Sequence, residues 1–428
     1  MGNGGSLALL EPPMRSKISL FSRSSESVRT SVFLVFLFFL TLSDKFIDTA
    51  FKFVAYEISG SEQLVSLVPS ISSLAFVSIG LFAGILVDAY SRRFFVYLHF
   101  VLFAVASIVF YVLYKSEYIG LVILFGFILL NEMSSSFNKA ASNTIFFDLC
   151  GENKLARWIS FRSMAFNAGS VAASILLWYY IAETSNLFLV YSVVLIVGIS
   201  VFSSIGYQNP YGAHHFENTT QVRVFVIYKF KAFIKDVKAN KSLLFVFGFS
   251  FVKTYFVFWP MFVGALLKFG VEESHTRQLF LVSLVVMEVI TIFASYFIGF
   301  KKSFSIVSFV TGSLISGIGI FLFAYSDHVY THVATLGIMY VGLALSGISA
   351  GYVMRRELPE VHRTQGLSFS VVPYYCADIL SGFTFAGFMF YFSVNQLLTF
   401  AGAGLILTCL AALPGAISLR SKVPLPGS

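Results

Sequence analysis

Gly84-Ile85-Leu86-Val87-Asp88-Ala89-Tyr90-Ser91-Arg92-Arg93 decides the fold. One long apolar run ends at about Val87 and the next begins at Phe94. Two membrane-length segments joined by so short a polar turn form an antiparallel helical hairpin. The adjacent Arg92 and Arg93 hold that turn on the cytoplasmic side, because cations next to a span resist translocation. Gly84 allows two helix backbones to approach closely. Asp88, at the end of a helix, can accept hydrogen bonds from the N-terminus of a neighbouring one.

The composition around this turn agrees. The 428 residues are 57% hydrophobic and 12% charged, with a mean hydropathy of +0.82. That charged fraction is about half the ~25% of soluble domains, so the chain reads as an all-α integral membrane protein. A spanning helix needs about 20 apolar residues. Twelve segments qualify: Thr30–Ile58, Leu64–Val87, Phe94–Tyr114, Tyr118–Phe147, Leu155–Ile181, Asn186–Tyr207, Ser242–Leu267, Gln278–Phe300, Phe304–Tyr325, Tyr330–Met354, Gly366–Phe392 and Gln396–Ser418. With both termini cytoplasmic, 21 of the 29 Lys and Arg residues fall in inner segments, and outer loops carry only Lys115, Lys268 and Arg277. This bias sets the orientation and supports the count, since a missed span would invert every later loop. It also removes nucleic acid as a partner, because the excess base belongs to loops on one side.

The resulting organisation is a cytoplasmic tail over 1–29, a six-helix bundle over 30–207, a cytoplasmic loop over 208–241, a second six-helix bundle over 242–419 and a short tail over 420–428. Within the loop, Arg223–Lys238 mixes aromatics with lysines, as in a basic amphipathic helix lying on anionic lipid. Membrane lipid is therefore an expected partner. His214-His215 and Glu217 read as a flexible polar loop. Cys150, Cys376 and Cys409 are scattered in or beside apolar runs, which fits neither a disulfide framework nor a metal site. No cofactor is expected.

The pattern Gly84-x-Leu86-x-Asp88-x-x-x-Arg92-Arg93 resembles the loop 2–3 signature of the major facilitator superfamily. The runs Asn138-Lys139-Ala140-Ala141-Ser142-Asn143, Leu155-Ala156-Arg157 and Asn167-Ala168-Gly169 resemble the branch containing macrolide-efflux and siderophore-export proteins. The resemblance implies the major facilitator fold, with two six-helix bundles related by a pseudo-two-fold axis. The second half echoes the signature only as Gly299-Phe300-Lys301-Lys302. The resemblance also implies a cytoplasmic gate at Gly84, Asp88, Arg92, Arg93 and Asp148, in which Asp88 meets helix eleven and Arg92 meets Asp148 at the inner end of helix four.

Charges inside spans are expensive and face a cavity or each other. Asp44, Asp48 and Lys52 are four apart, so they share one helix face. Asp44, Asp48, Glu132, Glu288 and Asp378 are the candidates for proton coupling, because a desolvated carboxylate takes up a proton more readily. Asp44 ranks first, since the resemblance makes helix one a gating helix. Fixed cations attract anions, so Lys139, Arg162 and Lys253 are candidates for substrate binding. Tyr255, Trp259, Tyr374 and Tyr375 could stack on a flat or cationic ligand.

The expected function is secondary transport by alternating access: proton-coupled efflux of a small, partly hydrophobic compound by a monomer in the plasma membrane. Its partners are the solute, protons and lipid. Uptake or exchange of an organic anion is the alternative, and metal-ion export through Asp44 and Asp48 ranks below it. An enzyme would need a nucleophile–base pair or a metal motif. The sequence offers no His-Glu-x-x-His, nucleotide-binding glycine loop or Cys-x-x-Cys.

Overall fold

The computed structural model describes residues 23–150, 155–180, 183–207, 227–228, 231, 234–235, 237–269, 274–299, 304–357 and 363–420. Most of the 208–241 loop, the first 22 residues and the last eight lie outside these residues, and with them the amphipathic-helix and histidine-loop expectations.

The described chain is helical. Its rods are α1 (Arg23–Ser59), α2 (Glu62–Ala89), α3 (Arg92–Lys115), α4 (Leu121–Leu149), α5 (Leu155–Tyr180), α6 (Asn186–Ser204), α7, α8 (Ser274–Gly299), α9 (Ile306–Ala324), α10 (Val329–Glu357), α11 (Arg363–Phe388) and α12 (Val394–Arg420). α7 runs over Lys241–Trp259, passes through a π-helical turn at Pro260–Gly264 and resumes over Ala265–Phe269. Proline explains the widened turn. It has no N–H to give and its ring crowds the preceding turn, so the Ala265 amide instead reaches back five residues to the Pro260 carbonyl.

Ten of these helices, among the described residues, are long and apolar enough to cross a membrane. α5 and α11 are not among the ten. The same polar residues that lower their hydropathy, among them Arg162 and Asn167 on α5 and Tyr374, Tyr375 and Asp378 on α11, line the cavity described below. They face that cavity, between the two sets of helices. α1 begins at Arg23, so part of the expected polar tail is helical and extends the first rod. The 84–93 turn is tighter than the six residues expected. α2 continues through Asp88 to Ala89, only Tyr90 and Ser91 separate it from α3, and the Tyr90 amide caps the Leu86 carbonyl at 2.9 Å.

Packing sorts the helices into two groups. α1 to α6 pack on one another, as do α7 to α12, and the groups meet along two seams, α2 on α11 and α5 on α8. Small residues permit the closest approaches. In the α9–α10 interface a Cβ on Gly319 would overlap the backbone of Met339.

Arg92 and Arg93 mark one end of the molecule, here termed the basic end. At the opposite end the α2–α11 seam is tightly closed. Ser66 on α2 donates to the Met389 sulfur at 3.2 Å and accepts from Trp259 Nε1 at 3.4 Å. The Trp259 indole, fully buried, stacks on Phe385 with centroids 4.8 Å apart. One turn further in, a Cβ on Gly382 would overlap the Ser70 hydroxyl.

Candidate functional site

Between the two groups lies a cavity of about 480 Å³. Helical spacing explains how each rod delivers its polar side chains, because residues three or four apart share a face. On α1, Thr41, Asp44, Lys45 and Asp48 line it. On α4 the stripe is Glu132, Ser136, Lys139 and Asn143, and on α5 it is Arg162, Phe166, Asn167 and Ser170. α2 adds Ser72, Ser73 and Phe76, α8 adds Glu288, and α11 adds Tyr374, Tyr375 and Asp378.

Two pairs neutralise part of this charge. Lys139 Nζ lies 3.1 Å from Asp44 Oδ2, between α4 and α1, and Lys52 Nζ lies 3.3 Å from Asp48 Oδ2 within α1. Lys139 also sits 5.1 Å above the Phe76 ring, which stacks at 4.1 Å on Tyr375 from the other group. Arg162 is held differently. Its guanidinium donates to the Asn143 carbonyl oxygen and lies 5.2 Å from the Phe146 ring and 4.9 Å from the Phe166 ring. Among the described residues no carboxylate pairs with it.

Each seam places a carboxylate at the cavity. Asp378 is completely buried and accepts from Ser73 of α2 at 3.2 Å, while its second oxygen has no hydrogen-bond partner among the described residues. Glu288 of α8 and Ser170 of α5 both line the cavity at the other seam. A serine of the first group thus holds Asp378 of the second.

The structure brings together Asp44, Asp48, Glu132, Lys139, Arg162, Glu288, Tyr374, Tyr375 and Asp378. Three sequence candidates do not line the cavity. Trp259 belongs to the closed seam, Tyr255 packs against Phe256 and Phe385, and Lys253 lies 5.7 Å from the Phe309 ring. Ser73, Asn143, Phe166, Asn167 and Ser170 were not anticipated as lining. The signal on α2 is a serine stripe at 66, 70 and 73, one helix face of hydroxyls in an apolar span.

At the basic end, Arg92 donates to Asp148 Oδ2 and, at 3.4 Å, to the Tyr207 hydroxyl, which itself donates to Asp148 at 2.5 Å. Burial pushes the Asp148 carboxyl up despite the guanidinium beside it, and burial with the neighbouring carboxylate raises the Tyr207 phenol. All three residues belong to the first group of helices. Arg93 is exposed and donates to Tyr97 at 3.2 Å, and Gly84 is buried. The Asp88 side chain lies outside what the structure describes.

The family model of the Major Facilitator Superfamily matches residues 33–372. No curated protein matches the sequence significantly. Among solved structures, the chain is similar to a POT family transporter in complex with 5-aminolevulinic acid (TM-score 0.73, 13% identity, covering 91% of this chain and 96% of that one). It is similar to a POT family transporter in complex with a thioalcohol-conjugated peptide (TM-score 0.67, 14% identity, 92% and 96%). It is also similar to a mutant of the nucleoside transporter NupG (TM-score 0.66, 15% identity, 91% and 99%).

Proposed function

Because the chain belongs to the Major Facilitator Superfamily, and is a multi-pass membrane transporter rather than an enzyme, we propose that it is a proton-coupled carrier of a small organic solute working by alternating access. The observation that carries this is the charged cavity between two groups of six helices, with an acid at each seam. Residues 30–207 and 242–419 act as the two bundles of a twelve-span monomer, both termini face the cytoplasm, and the plasma membrane is its site. Rocking of one bundle against the other exposes the cavity to each side in turn. The closed α2–α11 seam at the end opposite Arg92 then corresponds to a state sealed on the outer side.

Of the two transport readings, the lining favours the charged organic solute over a mainly hydrophobic one, since eight charged side chains surround the cavity. Export is the direction we favour, on the likeness of Asn138–Asn143 and Leu155–Arg157 to macrolide-efflux and siderophore-export proteins. The 5-aminolevulinic acid and thioalcohol-conjugated peptide bound in the similar POT family transporters support a small organic molecule. Metal-ion export finds less support: Asp44 and Asp48 are each occupied by a lysine, and no group of three potential metal ligands occurs among the described residues.

Asp378 is the proton site we place first. Among the described residues it has no ion pair, whereas Lys139 holds the charge on Asp44. Its hydrogen bond from Ser73 crosses the seam, so opening that seam changes its surroundings. Proteoliposomes carrying an imposed pH gradient test this, with an aromatic cationic dye and an aromatic organic anion as solutes. The gradient drives flux of one of them in the wild type, the organic anion being favoured. In Asp378→Asn the gradient no longer accelerates flux, while solute exchange at equal pH persists. Gradient-driven flux that survives Asp378→Asn moves the proton site elsewhere, to Asp44 or Glu132.

A further inference from the structure

Glu57 and Lys268 hold matching places at the end of the molecule opposite Arg92. Glu57 lies in the last turn of α1. It accepts from the Tyr114 hydroxyl, in the last turn of α3, at 2.8 Å and from the Thr184 hydroxyl, just before α6, at 2.7 Å. Lys268 lies in the last turn of α7. It donates to the Phe323 and Ala324 carbonyls, the last two of α9, at 2.7 and 2.8 Å, and to Asn395 Oδ1, at the start of α12, at 2.9 Å. In each group one charged side chain therefore ties the first helix to the third and the sixth. The two charges are opposite, so no sequence repeat marks the correspondence.

The chemistry differs while the task is the same. Each carboxylate oxygen of Glu57 takes one hydroxyl, and charge-assisted hydrogen bonds are the strong ones. An ammonium has three N–H donors, and Lys268 uses all three. Two of them meet carbonyls at a helix C-terminus, where the partial negative charge favours a cation.

Neither residue lines the cavity, and all five hydrogen bonds stay within one group of helices. The helices they hold reach the transport machinery. α1 carries Asp44 and Asp48 to the cavity, and α7 carries Phe258 to the cavity and Trp259 to the closed seam. α7 also has a weak point, since helices kink at prolines and π turns. Its π turn ends at Gly264, four residues before Lys268, so Lys268 anchors the arm beyond the weak point.

We infer that Glu57 and Lys268 are positioning residues that keep the outer ends of α1 and α7 attached to their own bundles throughout the transport cycle. The outer side then opens by parting of the bundles at the α2–α11 seam, and not by bending of α1 or α7. This rests on the transport reading above and names the side chains that make each bundle move as one body.

Two assays on the full chain test it. The first is thiol labelling in detergent of a chain with Ser66→Cys and Cys376→Ser. Adding Lys268→Met frees the outer arm of α7, so position 66 is expected to label about ten-fold faster, the factor that one charge-assisted hydrogen bond represents. Unchanged labelling overturns the role of Lys268. The second is gradient-driven flux of the aromatic organic anion and the aromatic cationic dye in proteoliposomes, in a chain whose native cysteines are replaced by alanine. Lys268→Cys with Asn395→Cys, and separately Glu57→Cys with Thr184→Cys, are expected to lower maximal flux several-fold at unchanged half-saturating solute concentration. A bis-methanethiosulfonate reagent that bridges either pair restores the flux, and a reductant removes the gain. The bridge supplies the tie without the charge, so recovery identifies position as what each residue contributes. Bridging Ser66→Cys to Met389→Cys, across the seam, stops flux. Bridges within a bundle that also stop flux overturn the inference, because the helix ends then have to leave their bundles. A wild-type chain that moves neither solute removes the transport reading instead, and labelling at position 66 still decides whether Lys268 holds α7.

Discussion

Arg92, Asp148 and Tyr207 show how much a single residue's role depends on its neighbours. The Arg92 and Asp148 side chains are 8% and 15% exposed, so their attraction competes with a large desolvation penalty. The upward displacement of the Asp148 carboxyl shows that burial outweighs the guanidinium there. Breaking one half of such a pair leaves an uncompensated buried charge, at about 3–5 kcal/mol, whereas replacing both by apolar groups is often neutral. Arg92→Met and Asp148→Leu are each expected to lower stability in detergent by about that much. The double variant, with Tyr207→Phe, loses less than either single change. Losses that simply add would show that the three residues are not one unit. The sequence signature pointed to Arg92 and to Asp148. It was silent on Tyr207, which reaches them from the end of α6, some sixty positions along the chain.

At the scale of an element, the α2–α11 seam is a stripe of hydroxyls closing on a glycine. Ser66, Ser70 and Ser73 recur at intervals of four and three, so they share one face of α2 and that face meets α11. Gly382 sets how far the helices can close. Rotation of the Ser70 hydroxyl can admit a methyl group. That methyl carbon already lies 3.1 Å from Ser70 Cβ and 3.3 Å from the Ser66 carbonyl, which leaves no room for a larger side chain. Gly382→Leu is therefore expected to hold the seam open. In a chain with Ser66→Cys and Cys376→Ser, a thiol reagent applied from the side opposite Arg92 should label position 66 at least ten-fold faster when Gly382→Leu is added. Unchanged labelling would mean that the seam closes by another route. α1 and α4 line the cavity with residues whose spacing already puts them on shared faces, Asp44 with Asp48 and Glu132 with Lys139. On α7 the Tyr255–Trp259 spacing also marks a face, and that face turns toward Phe385 and the seam.

At the scale of the whole molecule, orientation follows from where the cations lie. Tyr118 lies between α3 and α4 and Lys238 lies just before α7, on opposite ends of the fold and both exposed. An impermeant thiol reagent should label Tyr118→Cys in intact cells and Lys238→Cys only after permeabilisation, and the reverse pattern would invert the topology. The sequence by itself determined the class, the helical rods, their order and the faces carrying charge. These depend on apolar run length, on short turns and on a 3.6-residue period, all local along the chain. Only the tertiary structure decided which charges neutralise one another. Lys139 meets Asp44 across about ninety-five positions and Ser73 meets Asp378 across 305. The same helices could rotate or slide to offer other partners with equal local pattern. That no carboxylate among the described residues pairs with Arg162 emerges only after all those pairings have been made, so no stretch of sequence read alone could have revealed it.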